Sequence, residues 1–155
     1  MTAAERLGAL CADLRWEELP HPVRQRSREL VLDALGVALA GSAAPSTAPV
    51  AALAREAAPG GRASVVGSGF ATGGAWAALA NGTAAHAIEM DDVTTESSLH
   101  PGVVVIPAAL AVAEERDSPG VAFLEAVVAG YEVVIRAGNA LNAASAYRRG
   151  FHPTG

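Results

Sequence analysis

His86, Glu89, Asp91, Asp92 and His100 fall within fifteen residues of a chain that is otherwise mostly alanine, valine, leucine and glycine. Charged side chains are costly to bury and normally stay in water. Acids and imidazoles gathered in apolar surroundings therefore point to chemistry, and they are the groups most readily tuned to give and take protons near neutral pH. The last residues repeat the theme. His152-Pro153 has the same form as His100-Pro101. Proline confines the residue before it to extended backbone, so each imidazole is expected on a stiffened loop. Thr154 adds a hydroxyl. Arg148-Arg149, just upstream, could grip a carboxylate in a fork geometry; the competing reading is an ordinary exposed basic pair.

The same acids and imidazoles carry the right atoms for zinc or manganese. His86 and Glu89, three apart, would share a helical face. None of the usual spaced signatures accompanies them: there is no His-Glu-x-x-His and no second close histidine pair. The plainer reading is a hydrogen-bonded helix histidine followed by two solvated acids at a helix end. Gly67-Ser68-Gly69-Phe70-Ala71-Thr72-Gly73 imitates a dinucleotide-binding fingerprint, with Glu89 as the downstream acid. That fold needs several parallel strands joined by helices. Only Ala63 to Val66 reads as a strand, so the segment is expected to be a glycine-rich turn.

The elements that must hold these groups are helical nearly throughout. Thr2-Ala3-Ala4-Glu5 is a capping-box signature, followed by Leu7, Leu10, Cys11 and Leu14 at helical spacing. Pro22 suits a first helical turn. Val23, Leu30, Val31, Ala34, Leu35, Ala38 and Leu39 form one stripe, and Gly41 is placed to end that helix. A third helix is predicted from about Pro49 to Ala58, broken by Pro59-Gly60-Gly61. The next is expected over Gly73 to Met90, irregular at Asn81-Gly82, and Asp91 to Pro101 reads as a loop. A helix covers Pro107 to Glu115, or starts earlier with a kink at Pro107. Ser118-Pro119 caps another, with the stripe Leu124, Val127, Val128, Tyr131 and Ile135 and a Glu132–Arg136 pair. The pattern fades after Gly138 into a polar segment from Asn142 to Gly155.

At 155 residues the chain is the size of one domain. It is 51% hydrophobic but only 17% charged, against about 25% charged for an average soluble domain. The core must be large, or part of the surface must be a contact surface. Aromatics make up only 5%, so small aliphatic side chains do the packing and helices can approach closely. We predict an all-α fold, a bundle-like single helical domain over 1–155. The formal charge of −5 argues against nucleic acid. Cys11 stands alone, so no disulfide forms within the chain. The N-terminus lacks a signal-peptide pattern, and the longest apolar run, Val103 to Ala113, is too short to cross a bilayer. A cytoplasmic protein without membrane partners is expected.

Asn81-Gly82 with His86, then Glu89-Met90-Asp91-Asp92, His100-Pro101, Pro107-Ala108-Ala109 and Ala113-Glu114, resembles the MmgE/PrpD family. Gly130-Tyr131-Glu132-Val133 and Gly150-Phe151-His152-Pro153-Thr154-Gly155 extend the match in the same order, over almost the whole chain. The family includes 2-methylcitrate dehydratase, cis-aconitate decarboxylase and iminodisuccinate epimerase. The resemblance implies a helical domain and a second α+β domain, homodimers, and no metal or organic cofactor. It implies a lyase or isomerase that moves a proton next to a carboxylate of a small polycarboxylate. It also implies roles. Glu89 or Asp92 with His100 forms the acid/base set, and His152 contacts a substrate carboxylate or donates a proton. His86, Asp91, Thr94, Arg148, Arg149 and Thr154 are expected to line the substrate site. Two positions depart from the pattern: Glu89 stands where Asp is common, and Val93 where many members have Thr, leaving Thr94 to supply the hydroxyl. Family members are much longer, so the resemblance implies an N-terminal piece, with little turnover by itself. A non-catalytic helical association module and a metal-dependent hydrolase are the other classes that the residues leave open.

Overall fold

The computed structural model describes residues 1–141, 143–152 and 154. The chain runs through α1 (Ala3–Asp13), a 3-10 turn (Trp16–Glu18), α2 (His21–Gly41), α3 (Thr47–Ala57), β1 (Pro59–Val65), β2 (Phe70–Thr72), α4 (Gly74–His86), α5 (Pro101–Arg116), α6 (Gly120–Leu141) and α7 (Ala143–Arg148). The fold is mostly helical, as the periodicity predicts. No described helix is long and apolar enough to cross a membrane.

The Thr2–Glu5 capping box forms as predicted: the Glu5 amide donates to Thr2 Oγ1 at 3.2 Å, and the Thr2 amide to Glu5 Oε2 at 2.7 Å. Three expectations change. Gly67-Ser68-Gly69 reverses the chain into a second strand instead of leading straight to a helix. Gly67 and Gly69 take φ of +74° and +67°, open to glycine without steric penalty. β2 pairs antiparallel with β1, and at three residues it is too short to show a periodicity. Leu35 and Leu39, expected in the α2 stripe, are exposed, and Val37 and Gly41 are buried instead. α4 ends at His86 and is continuous through Asn81-Gly82.

The reason for that continuity lies in two tertiary contacts. Asn81 is buried; its Oδ1 accepts from the Val66 amide at 2.8 Å and its Nδ2 donates to the Ser64 carbonyl at 2.8 Å. This clamps α4 to the end of β1. Gly82 faces α5, where a Cβ would lie 2.8 Å from the Val103 carbonyl oxygen. Pro107, inside α5, has no N–H to offer the carbonyl four residues before it, and that carbonyl belongs to Val103. The freed oxygen thus meets a helix surface that glycine has made flat.

α4 and α5 form the centre. Ala54, Ala63, Val65, Ala77, Ala80 and Ala111 pack where α3, β1, α4 and α5 meet. Val37, Ala38, Ala84, Ala85 and Val103 join α2, α4 and α5, while Ala34, Ile106 and Val127 join α2, α5 and α6. A core this rich in alanine holds together by close helix approach rather than by large side chains. The consequence for function is that the end of α4 and the start of α5 are fixed relative to each other.

Candidate active site

The α4–α5 connection carries the acids and imidazoles. His86 occupies the last residue of α4. Glu89 then adopts φ +54°, a left-handed conformation that is uncommon for a side chain of this size, and turns the chain back toward the helix it has left. The loop is closed by an antiparallel bridge: the Thr94 amide donates to the Leu99 carbonyl at 2.8 Å and the Leu99 amide to the Thr94 carbonyl at 3.3 Å. Thr94 Oγ1 also bonds Ser97 Oγ. Ser97 and Leu99 are buried against Gly138 of α6, where a Cβ would collide with both. So anchored, the loop delivers His100 to the head of α5, with Pro101 in the first turn.

The two aspartates diverge. Asp91 has a side chain only 3% exposed. Its oxygens lie 3.1 and 3.0 Å from His86 Nδ1. His100 Nδ1 is 2.9 Å from the same Oδ2 but out of hydrogen-bond alignment. The two rings are edge-on, with centroids 4.8 Å apart. Asp92 faces the other way. Its Oδ1 accepts from the Gly102 amide at 2.9 Å, and its Oδ2 from the Tyr131 hydroxyl at 2.8 Å. Gly102 leaves the room; a Cβ would run into Asp92 Oδ1 and lie 2.9 Å from the Tyr131 hydroxyl. Burial pushes the Tyr131 phenol well above its ordinary pKa, and the Asp92 charge and hydrogen bond add to that. The hydroxyl therefore stays a donor.

The C-terminal segment folds over this cluster. Thr154 Oγ1 accepts from the His100 amide at 3.0 Å, and the Thr154 amide donates to His152 Nδ1 at 3.2 Å. The His152 ring centroid is 6.1 Å from that of His100 and 5.6 Å from that of Tyr147. Tyr147 in turn bonds Ser98 Oγ at 2.9 Å. A groove of about 570 Å³ opens beside the cluster, lined by Gly82, Thr83, His86, Val103 and Thr154 among others.

Of the residues singled out from the sequence, the fold brings His86, Asp91, His100, His152 and Thr154 together. Glu89 sits at the rim, 72% exposed, with Oε1 3.6 Å from His86 Nε2. Asp92 is engaged with α5 and α6, and Thr94 with its own loop. Arg148 and Arg149 are exposed and make no ion pair with a described residue. Asn142, Pro153 and Gly155 lie outside the described residues, and the expected stiffening at His152-Pro153 lies outside them too. Sequence reasoning missed Ser98 and Tyr147, which carry no spacing signal. Tyr131 was placed in an apolar stripe; its signal was the phenol, which needs a partner once buried.

The family model described as MmgE/PrpD N-terminal domain matches residues 5–155. A cis-aconitate decarboxylase-like protein of Aspergillus oryzae is 33% identical over 147 residues, covering 90% of this chain and 30% of that protein. The cis-aconitate decarboxylase of Aspergillus terreus is 27% identical over 146 residues, 91% of this chain and 30% of its own length. The chain thus spans about 30% of the length of the curated relatives it matches. No solved structure matches it significantly.

Proposed function

The chain belongs to the MmgE/PrpD family, and from that premise we propose that it supplies the acid/base part of a lyase acting on a small polycarboxylate. One observation carries the reading: a nearly buried carboxylate, Asp91, between two imidazoles from the facing ends of two packed helices, beside an open groove. Loss of carbon dioxide is the reaction we favour, because the relatives named above are decarboxylases or decarboxylase-like. When the bond to a departing carboxylate breaks, its electron pair remains on the substrate and needs a proton. An imidazolium in this cluster supplies that proton, and Asp91 compensates the positive charge that a ring carries before it gives the proton up. His152 and Thr154, reaching over from the C-terminal segment, contact a substrate carboxylate. Dehydration and epimerisation would begin instead with a base of the same cluster removing a carbon-bound proton, followed by loss of the hydroxyl group as water or by reprotonation on the opposite face.

The test is an assay of the protein together with the polypeptide that follows Gly155, if there is one, on cis-aconitate, on citrate-like hydroxy acids and on aspartate-derived acids. Carbon dioxide released from the unsaturated tricarboxylate is the expected result. An alkene formed without carbon dioxide would shift the assignment to dehydration, and inactivity on all of them would remove the lyase reading. The 155-residue chain assayed alone is expected to turn over little.

A second reading, a helical association module, rests on a different observation. Leu32, Leu35 and Leu39 lie at helical spacing along α2 and are 74%, 37% and 59% exposed. Homodimerisation through that face, without turnover by the complete protein, is the outcome that would favour it. Sedimentation of wild type against Leu32→Asp with Leu39→Asp reads it directly.

A further inference from the structure

We propose that His86, Asp91 and His100 form a binding site for one divalent transition-metal ion of the zinc and cobalt class. Their donor atoms all lie within 4.8 Å of one another. Donors arranged tetrahedrally at zinc-ligand bond lengths are separated by roughly 3.3 Å, and the measured Nδ1-to-oxygen separations of 3.0 and 2.9 Å are close to that. The two imidazole nitrogens, within 4.8 Å of each other, close on the ion by rotation of their side chains.

A second observation points to a ligand. His100 Nδ1 is buried and has no hydrogen-bond partner, although Asp91 Oδ2 is 2.9 Å away. A nitrogen held this close to a carboxylate but off the hydrogen-bond line is left unsatisfied, at a cost that a shared cation removes. The supporting frame is rigid. His86 ends α4, His100 heads α5, and Asp92 ties the loop to Gly102 and Tyr131 on the far side. Two imidazoles and a carboxylate suit zinc, cobalt or nickel, and no thiolate is offered for a softer ion. Three protein ligands leave a coordination position free, and the groove that His86 lines adjoins it. The spacings, five residues and then nine, match no familiar metal motif, which is why the sequence argued against a metal. The ion occupies the nitrogens that the proposed proton transfer needs free, so it acts as an inhibitor there; its binding does not depend on that reading.

The probe is cobalt(II), added without any other ligand to the untagged protein, with visible ligand-field bands recorded and zinc(II) then added to displace it. One cobalt per chain is expected, with affinity at least about 100-fold weaker in His86→Gln, given that even outer-shell losses cost 10- to 100-fold. His86 is 36% exposed, so this variant is expected to keep its fold, which circular dichroism checks. Asp91→Ala gives a second loss. The chain has four histidines, and His21→Gln, at the start of α2, leaves binding unchanged. No saturable band, undiminished binding in His86→Gln, or dependence on His21 overturns the proposal.

Discussion

Asp91 turns toward the facing ends of α4 and α5, where two imidazoles reach its carboxylate, while Asp92, one residue on, turns toward α5 and α6 and holds a backbone amide and a phenol. The first region is a set of titratable groups beside a groove; the second is a scaffold joint. Both use the same side chain. What separates them is what each oxygen meets. Asp92 meets donors that stay protonated: the Gly102 amide and a Tyr131 hydroxyl kept protonated by burial. Asp91 meets rings that can carry or release a proton. A carboxylate becomes reactive or structural according to its partners, and only folding decides which partners come first.

Exchanging Asp91 for Asn gives the largest expected effect. In an active complete protein the rate falls about 10²- to 10⁴-fold, the usual worth of a positioned acid/base group. Stability changes little, because the amide fills the same space. Measured kcat and a thermal melt for Asp91→Asn and Asp92→Asn, side by side, test the division of labour. Equal losses of rate with equal melts would erase it.

Next comes Asp92→Ala. It strands the Gly102 amide and the Tyr131 hydroxyl at once, and leaving buried donors unsatisfied costs roughly 1–3 kcal/mol each. Urea unfolding should show a loss of about 2–6 kcal/mol. A loss below 1 kcal/mol would mean that water replaces the carboxylate and that the joint is not structural.

Tyr131→Phe removes one of those two bonds and is expected to cost about 1–2 kcal/mol at neutral pH. Its pH dependence has a definite sign. The folded-state phenol is raised above the ordinary value of 10.0. Its contribution is therefore complete below that value and is lost as pH rises above it, because the unfolded chain releases the proton first. The stability gap between wild type and Tyr131→Phe should narrow above pH ~10. A gap that stays constant through that range would show that the fold does not hold the phenol protonated, by burial first and by Asp92 second.

The scaffold was the more legible half. Helix boundaries followed from visible signals: the Thr2–Glu5 box, Pro22, and the proline and glycines after Ala58. Gly41 does close α2, but as a helical residue packed against Ala84 of α4 and not as a left-handed cap, and Pro59-Gly60-Gly61 opens β1. β2 escaped because three residues carry no period, and Gly67-Ser68-Gly69 looks the same whether it leads to a strand or a helix. The site was legible as a set of residues but not as a set of contacts. Five of the residues named from the sequence do converge. Yet the choice of Glu89 or Asp92 as the acid/base carboxylate rested on their place in the family's motif, and nothing in two adjacent aspartates says which will face the two imidazoles. That depends on the left-handed turn at Glu89 and on the Thr94–Leu99 bridge, and Glu does not advertise a positive φ. Likewise Tyr131 read as one apolar position in a stripe, since helical spacing reports a face and not a hydroxyl's partner.

Glu89 gives the smallest effect and the sharpest contrast with Asp91. Its φ of +54° costs a non-glycine residue about 1 kcal/mol or more. Glycine removes that strain but loses more chain entropy on folding, so Glu89→Gly should change stability by no more than about 1 kcal/mol, in the favourable direction. Its carboxylate is mostly exposed, and Oε1 lies 3.6 Å from His86 Nε2, beyond hydrogen-bond range. The rate should fall less than about 10-fold, well short of the loss at Asp91. Glu89→Gln, which keeps the side chain and the backbone strain, isolates the charge. If Glu89→Gln alone lost as much rate as Asp91→Asn, the working carboxylate would sit at the rim, and Asp91 would become, like Asp92, a residue that holds others in place.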